Sequence, residues 1–229
     1  MSRQPLIYIV IPAYNEEKVI KSVLEDLISY GYKNIVVVDD GSKDNTYKEA
    51  KKVEGVVVLK HILNRGKGAA VKTGIAAAQI LNADIIVTMD GDGQHDPEDI
   101  TKLVSPIQNN NIDVTLGTRL TDTKGMPKHR IVANKLGNYL TWMAYGLKVT
   151  DSQSGFRAYS KKAASYIETR GDRYEYDSEV IREIKRHKLK FKEVPIKVRY
   201  TEYSMGKQHK QGVVNGIKTV YAMFWSLLS

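Results

Sequence analysis

Two runs of apolar and β-branched residues in this chain stop abruptly at carboxylates and glycine: IVVVDDGS at 35–42 and IIVTMDGDGQH at 85–95. A strand that ends in Asp-Gly delivers negative charge to the carboxyl edge of a sheet, where open α/β folds place their ligands. The second run carries Asp90 and Asp92 with Gly91 between them. Two carboxylates so placed suit a divalent cation bound to a diphosphate. The same spacing also suits a Gly-rich turn that simply ends a strand. The other acidic pair, Asp39 and Asp40, favours the cation, because both turns would open on one crevice.

The rest of the first half has the rhythm of a wound sheet. Leu6–Ile11, Ile35–Val38, Val56–Leu59, Ile85–Met89 and Val114–Gly117 read as strands. Helical spacing runs from Val19 to Ile28, from Asp44 to Val53, from Lys67 to Leu81 and beyond Pro97. Strand–helix alternation with short connections predicts a mainly parallel, right-handed α/β sheet. After Thr118 the rhythm changes. A basic loop over Thr121–His129 precedes a helix from Ile131 to Tyr145, with Val132, Leu136, Tyr139, Leu140 and Met143 as its apolar face. A polar turn, DSQSGFR at 151–157, leads to a short strand, then a helix around Asp177–His187 and an edge strand Phe191–Tyr200 containing Pro195. No repeat or linker divides the 229 residues, so a single domain is expected.

Composition narrows the function classes. The chain has no cysteine, which excludes disulfides and thiolate metal sites and is compatible with a reducing, cytoplasmic setting. The first residues meet charge and proline too soon for a signal peptide. No apolar stretch reaches the roughly 20 residues that span a bilayer. The excess of 35 Lys and Arg over 26 Asp and Glu, +9 in all, concentrates between Arg119 and Arg130 and between Lys185 and Lys210. Such surface attracts phosphorylated substrates, anionic lipid or nucleic acid. Without zinc-finger spacing or an RNA-binding aromatic motif, nucleic acid is not the expected partner. Lys67, in NRGKG at 64–68, sits where a glycine-permissive loop enters a helix, a place suited to a phosphate or carboxylate and equally to plain solvated charge. It is not a Walker loop, and PAYNE at 12–16 is not a GxGxxG turn.

The blocks IVIPAYNEE (9–17), VVVDDGSKDNT (36–46), LNRGKGAAVKTG (63–74), MDGDGQHDPEDI (89–100), GTR (117–119) and DSQSGFRAY (151–159) together resemble the inverting, metal-dependent family 2 glycosyltransferases. Within that family the chain looks most like the dolichyl- or polyprenyl-phosphate sugar synthases that use GDP-mannose or UDP-glucose. The resemblance implies a GT-A, Rossmann-like fold with helices on both faces of the sheet. It divides the chain into a nucleotide-sugar part (1–118), an acceptor side (119–211) and an amphipathic C-terminal helix (212–229). It also implies roles. Pro12, Ala13, Tyr14 and Glu16 hold the base and ribose, and Asp39 faces the base. Asp90 lies nearer the ribose and donor sugar, Gly91 separates the acids, and Asp92 is the principal ligand of Mg²⁺ or Mn²⁺ with Gln94 beside it. Lys67 contacts the donor, and Arg119 follows the next strand. Asp151 and Gln153 belong to the acceptor-side turn.

The implied acceptor, a polyprenyl monophosphate, is already anionic and needs no strong base; a hydroxyl acceptor does. What a phosphate needs is cations that hold it in line. Arg119, Arg130, Arg157 and Lys207 are the candidates for that task, each with a plain surface cation as its alternative. Glu175, Asp177 and Glu179 lie where hydroxyl-using relatives keep a carboxylate, but cap and solubilise a helix equally well. Transfer to a hydroxyl is the second reading, and a non-catalytic nucleotide-sugar-binding protein the third. The QxxRW motif of processive polysaccharide synthases is absent. The apolar spacing of Val213, Val214, Ile217, Val220, Tyr221, Phe224, Trp225 and Leu228 suits peripheral contact with the cytoplasmic face of a membrane. It suits packing on the domain or on a second copy in a homodimer equally well.

Overall fold

The computed structural model describes residues 3–120, 128–173, 175–199 and 203, with backbone alone at 110, 128–130 and 133. Seven strands form one sheet: β1 (Ile7–Ala13), β2 (Ile35–Asp39), β3 (Val57–Lys60), β4 (Ile85–Thr88), β5 (Val114–Thr118), β6 (Arg157–Ser160) and β7 (Phe191–Pro195), in the order β3-β2-β1-β4-β6-β5-β7. All run parallel except β6, which pairs antiparallel with both β4 and β5. The helices are α1 (Ile20–Ser29), α2 (Thr46–Lys51), α3 (Lys67–Ile80), α4 (Glu98–Asn110), α5 (Lys128–Tyr145), α6 (Lys161–Tyr166) and α7 (Glu175–Arg186).

Alternation along the strands sorts the core into two layers. Ile9, Ile11, Ile35, Val37, Ile85 and Val87 meet Leu24 and Leu27 of α1 and Ile100 and Leu103 of α4. Val10, Val36, Val38 and Ile86 meet Ala70, Val71 and Ala78 of α3 and Val180, Ile181 and Ile184 of α7. Strands buried on both faces read as continuous apolar runs, which is why they were legible. Helix α3 lies so close to the sheet that a Cβ on Gly74 would run into the Val10 side chain. Gly74→Ala is therefore expected to cost about 1–3 kcal/mol, read from a shifted urea midpoint.

Two expectations need correction, the inward face of α5 and the end of the edge strand. Helix α5 does not bury the predicted face: Val132, Leu136, Tyr139 and Met143 are exposed, while Thr141 and Tyr145 are buried. Its inward side is thus the polar one, matched to the polar turn at 151–154. The edge strand ends at Pro195 rather than running on to Tyr200, and the Ile196 N–H still donates to the Thr118 carbonyl. Helix α7 begins at Glu175, and the short α6, capped by Ser160 accepting from the Ala163 N–H, was not foreseen. The Arg130 and Lys207 side chains, most of the Thr121–His129 loop and the 212–229 segment lie outside the described residues. Among those described, no helix is long and apolar enough to cross a membrane.

Candidate active site

The strand order reverses at β1, with β2 on one side and β4 on the other, which opens a crevice at their carboxyl ends. Ala13 and Asp39 are register partners there. Met89 donates its N–H to the Val10 carbonyl at 3.0 Å, so the acidic turn begins beside the end of β1. A Cβ on Gly91 would stand 3.1 Å from the Pro12 carbonyl oxygen. Pro12, Ala13, Tyr14, Glu16, Asp39, Asp90, Gly91, Asp92 and Gln94 are thereby gathered at one edge, where strand-end placement put the two acidic turns.

The two acids after β2 divide their work. Asp40 accepts from the Arg65 N–H at 3.0 Å and the Gly66 N–H at 2.7 Å, and His61 Nδ1 lies 2.7 Å from it. It shapes the loop into α3. Asp39 is fully buried; its Oδ1 accepts the Ser42 N–H, but its Oδ2 has no hydrogen-bond donor among the described residues, and Lys60 Nζ is 3.9 Å away. A buried carboxylate oxygen left open is costly unless a ligand donor meets it. Asn15 takes a left-handed conformation (φ 55°), and its N–H donates to Ser42 Oγ. The Glu16 N–H donates to Thr46 Oγ1, so the PAYNE loop is fastened to the loop after β2.

At the centre, Lys67 Nζ is 2.8 Å from Asp90 Oδ1 and 3.3 Å from Asp177 Oδ2. His95 Nε2, with its ring against Phe156, is 3.3 Å from Asp90 Oδ2. Burial opposes the Asp90 charge, but Lys67 and His95 outweigh it and hold the carboxyl well below the usual range. Burial likewise opposes the Lys67 charge, and Asp177 and Asp90 raise its ammonium above the ordinary lysine value. Asp92 differs: burial, then the Asp90 charge, push its carboxyl up. Lys67 compensates one carboxylate of the pair and leaves the other short of positive charge. Gly155 makes the Lys67–Asp90 pair possible, since a Cβ there would fall 2.5 Å from Lys67 Nζ and 2.9 Å from Asp90 Oδ1. Gly155→Ala is expected to part the two and lower turnover by about tenfold or more, with little change in secondary structure by circular dichroism.

Across the crevice Arg119 makes a two-pronged pair with buried Asp151, Nε–Oδ2 2.7 Å and Nη2–Oδ1 2.8 Å, and its backbone N–H donates to the same carboxylate. Nη1 of Arg119 has no partner among the described residues. Gln153 Nε2 donates to Ser178 Oγ on α7 at 2.8 Å. Arg157, a candidate for the acceptor phosphate, is instead buried: it donates to the carbonyls of Ser152, Ser154 and Asp177, and Phe156 beside it is core.

The residues present fit Mg²⁺ or Mn²⁺. Asp92 Oδ1 accepts the Gln94 N–H, which fixes the carboxylate in its turn, and the Gln94 side chain is buried with an unpartnered amide nitrogen. Among the described residues there is no cage of three or more acidic or histidine ligands. Ions that bind through one or two carboxylates plus substrate phosphates need no such cage.

A doubly wound sheet with an acidic pair at its switch point, faced by a lysine and a held arginine, is the architecture of the GT-A glycosyltransferases. The chain belongs to glycosyl transferase family 2, whose domain matches residues 8–167. It is 44% identical over 239 aligned positions to the UDP-N-acetylglucosamine–dolichyl-phosphate N-acetylglucosaminyltransferase of Methanococcus voltae, covering 95% of this chain and 94% of that one. It is 29% identical to the human dolichyl-phosphate beta-glucosyltransferase, over 76% of this chain and 61% of that protein. In fold it is similar to glucosyl-3-phosphoglycerate synthase of Mycobacterium tuberculosis, solved with Mn²⁺, UDP and phosphoglyceric acid. That likeness has a TM-score of 0.67 at 20% identity and covers 94% of this chain and 78% of the other.

Sequence reasoning named Asp177 only as one of three acids where hydroxyl-using relatives keep a carboxylate; it did not foresee that Lys67 pairs with it, that Gly155 makes room at the centre, or that Arg199 reaches the acidic turn. Asp177 and Arg199 lie beyond the matched family residues. Besides that resemblance, the local signal for Asp177 was its place in the first turn of a helix, which capping explains equally well.

Proposed function

We propose that the enzyme transfers N-acetylglucosamine from UDP-N-acetylglucosamine to a dolichyl phosphate, inverting the anomeric carbon in a single displacement. The observation that carries this is the 44% identity, nearly end to end, with an enzyme named for that donor and acceptor. It moves the donor away from the GDP-mannose or UDP-glucose that the motifs imply. The unfilled acceptor atom of Asp39 suits an N–H of the base, and the PAYNE loop is placed to hold the base and ribose.

A divalent ion bound at Asp92, with Asp90 and Gln94 beside it, would neutralise charge on the departing diphosphate. Lys67 holds Asp90 in place and sits at the head of α3, near where the phosphates would lie. Arg119, fixed by Asp151, is the proposed cation for the acceptor phosphate, and Arg130 the proposed second one. The acceptor phosphate oxygen forms the new bond to the anomeric carbon as the bond to the UDP oxygen breaks, and no proton has to be removed.

The carboxylates favour this reading over a hydroxyl acceptor. Asp151 is occupied by Arg119, Asp177 by Lys67 and Arg157, and Glu179 by the Arg170 and Gly171 N–H groups. None is left as a free base. Incubation with Mn²⁺, dolichyl phosphate and equal UDP-N-acetylglucosamine, UDP-glucose and GDP-mannose, followed by mass spectrometry, should give dolichyl-phosphate N-acetylglucosamine as the main product. A mannosyl product alone would overturn the donor assignment.

A further inference from the structure

The segment after β7 is seamed to the acidic turn. Val198 forms an antiparallel bridge with His95, and the Arg199 N–H donates to the Gln94 carbonyl at 2.8 Å. The Arg199 guanidinium then spans two elements, with Nη1 2.7 Å from Asp26 Oδ2 on α1 and Nη2 2.9 Å from Asp96 Oδ1 in the turn. Further along, Tyr203 donates its hydroxyl to Glu16 Oε2 at 2.9 Å, so the same stretch of chain touches the PAYNE loop.

The turn that Arg199 holds passes through Gly93 at φ 77°, a left-handed conformation that glycine adopts without strain. Asp92 is oriented by the Gln94 N–H, so its direction follows wherever residues 94–96 are placed. On the strap side, the fastenings include the backbone bridge, the Lys197 N–H donating to Asp99 Oδ2 at 2.6 Å, and the Arg199 fork, which alone joins the turn to α1 by a side chain of this segment. A planar fork holding two carboxylates on different elements fixes distance and angle together, which a single ammonium cannot do. Without it, Asp26 and Asp96 lose their shared counter-charge.

We propose that Arg199 is a positioning residue for the acidic turn: by locking Asp96 to Asp26 it sets the direction in which Asp92 points, and thereby the affinity for the divalent ion. This rests on the metal role of Asp92 given above. The Arg199 side chain is 38% exposed, and ion pairs that open to water add little to stability. The role therefore shows in metal binding rather than in melting.

The test reads binding without turnover: free Mn²⁺ measured by electron paramagnetic resonance in the presence of UDP. Arg199→Met is expected to weaken Mn²⁺ binding by roughly ten- to a hundredfold, with Arg199→Lys in between. Lys197→Ala, which removes an exposed pair with Glu98 on the same segment, should bind as the unaltered protein does. A merely structural role would lower the melting temperature and leave the affinity unchanged. Wild-type affinity in a folded Arg199→Met overturns the inference alone. If that variant does not fold, wild-type affinity in both Arg199→Lys and Asp26→Asn overturns it. No Mn²⁺ binding by the unaltered protein would remove the metal reading and this inference with it.

Discussion

Asp92→Asn is expected to lower transfer by about a thousandfold, the equivalent of about 4 kcal/mol in the barrier. Asparagine keeps the shape of the side chain and an oxygen to accept the Gln94 N–H, so the turn persists. What it removes is the charge that would bind the ion. The same change carries an opposite expectation for stability. Burial and the neighbouring Asp90 already push the Asp92 carboxyl up, so its ionised form is unfavourable in the metal-free fold. Metal-free Asp92→Asn should melt no lower than the parent, and excess Mn²⁺ should raise the parent's melting temperature but not the variant's. A variant that both melts lower and keeps full activity would show that Asp92 serves packing alone.

Lys67→Met is expected to have the largest effect on the fold itself. Lys67 is shared by Asp90 and Asp177, so its loss leaves Asp90 with His95 and Asp177 with the more distant Arg157 as their remaining partners. Removing one partner of a buried pair costs about 3–5 kcal/mol. Lys67 and Asp90 retain 23% and 30% side-chain exposure, so solvent screening lowers the expectation to about 2–3 kcal/mol. A double-mutant cycle isolates the cause. Adding Asp177→Asn to Lys67→Met should recover stability, with a coupling of about 1–2 kcal/mol in denaturant titrations. Strict additivity of the two substitutions would mean that the pair contributes nothing to the fold. Activity should not recover in the double variant, because Asp90 remains without Lys67.

The parts of this structure that were legible in the sequence are those set by local physics. β1, β2 and β4 read as strands because both faces are buried, leaving unbroken apolar runs. The acidic edge was legible because a strand that ends in Asp-Gly has only one place to put its charge. Less legible was everything decided by chain-distant partners. β6 is four residues long, RAYS, and is antiparallel only because it slots between β4 and β5. Arg119 and Asp151 read as two independent candidates, a cation and a base, yet each occupies the other. Arg157 read as a candidate for the acceptor phosphate, with a surface cation as its alternative, and its burial depends on carbonyls of the turn before it and of α7. α5 misled for a related reason: its apolar residues suggest an inward face, but its neighbours at 151–154 and on α7 offer hydroxyls, so Thr141 turns inward instead.

The most direct test of the central claim compares two acceptors that differ by one group. Dolichyl phosphate and dolichol of the same chain length, each in detergent with UDP-N-acetylglucosamine and Mn²⁺, would be followed by mass spectrometry of the lipid products. The phosphate carries its own nucleophilic oxygen, whereas an alcohol needs a base, and among the described residues Asp151, Asp177 and Glu179 are each already paired. Transfer to dolichyl phosphate with none detectable to dolichol is the predicted result. Comparable transfer to dolichol would contradict the account and require a base among Asp151, Asp177 and Glu179.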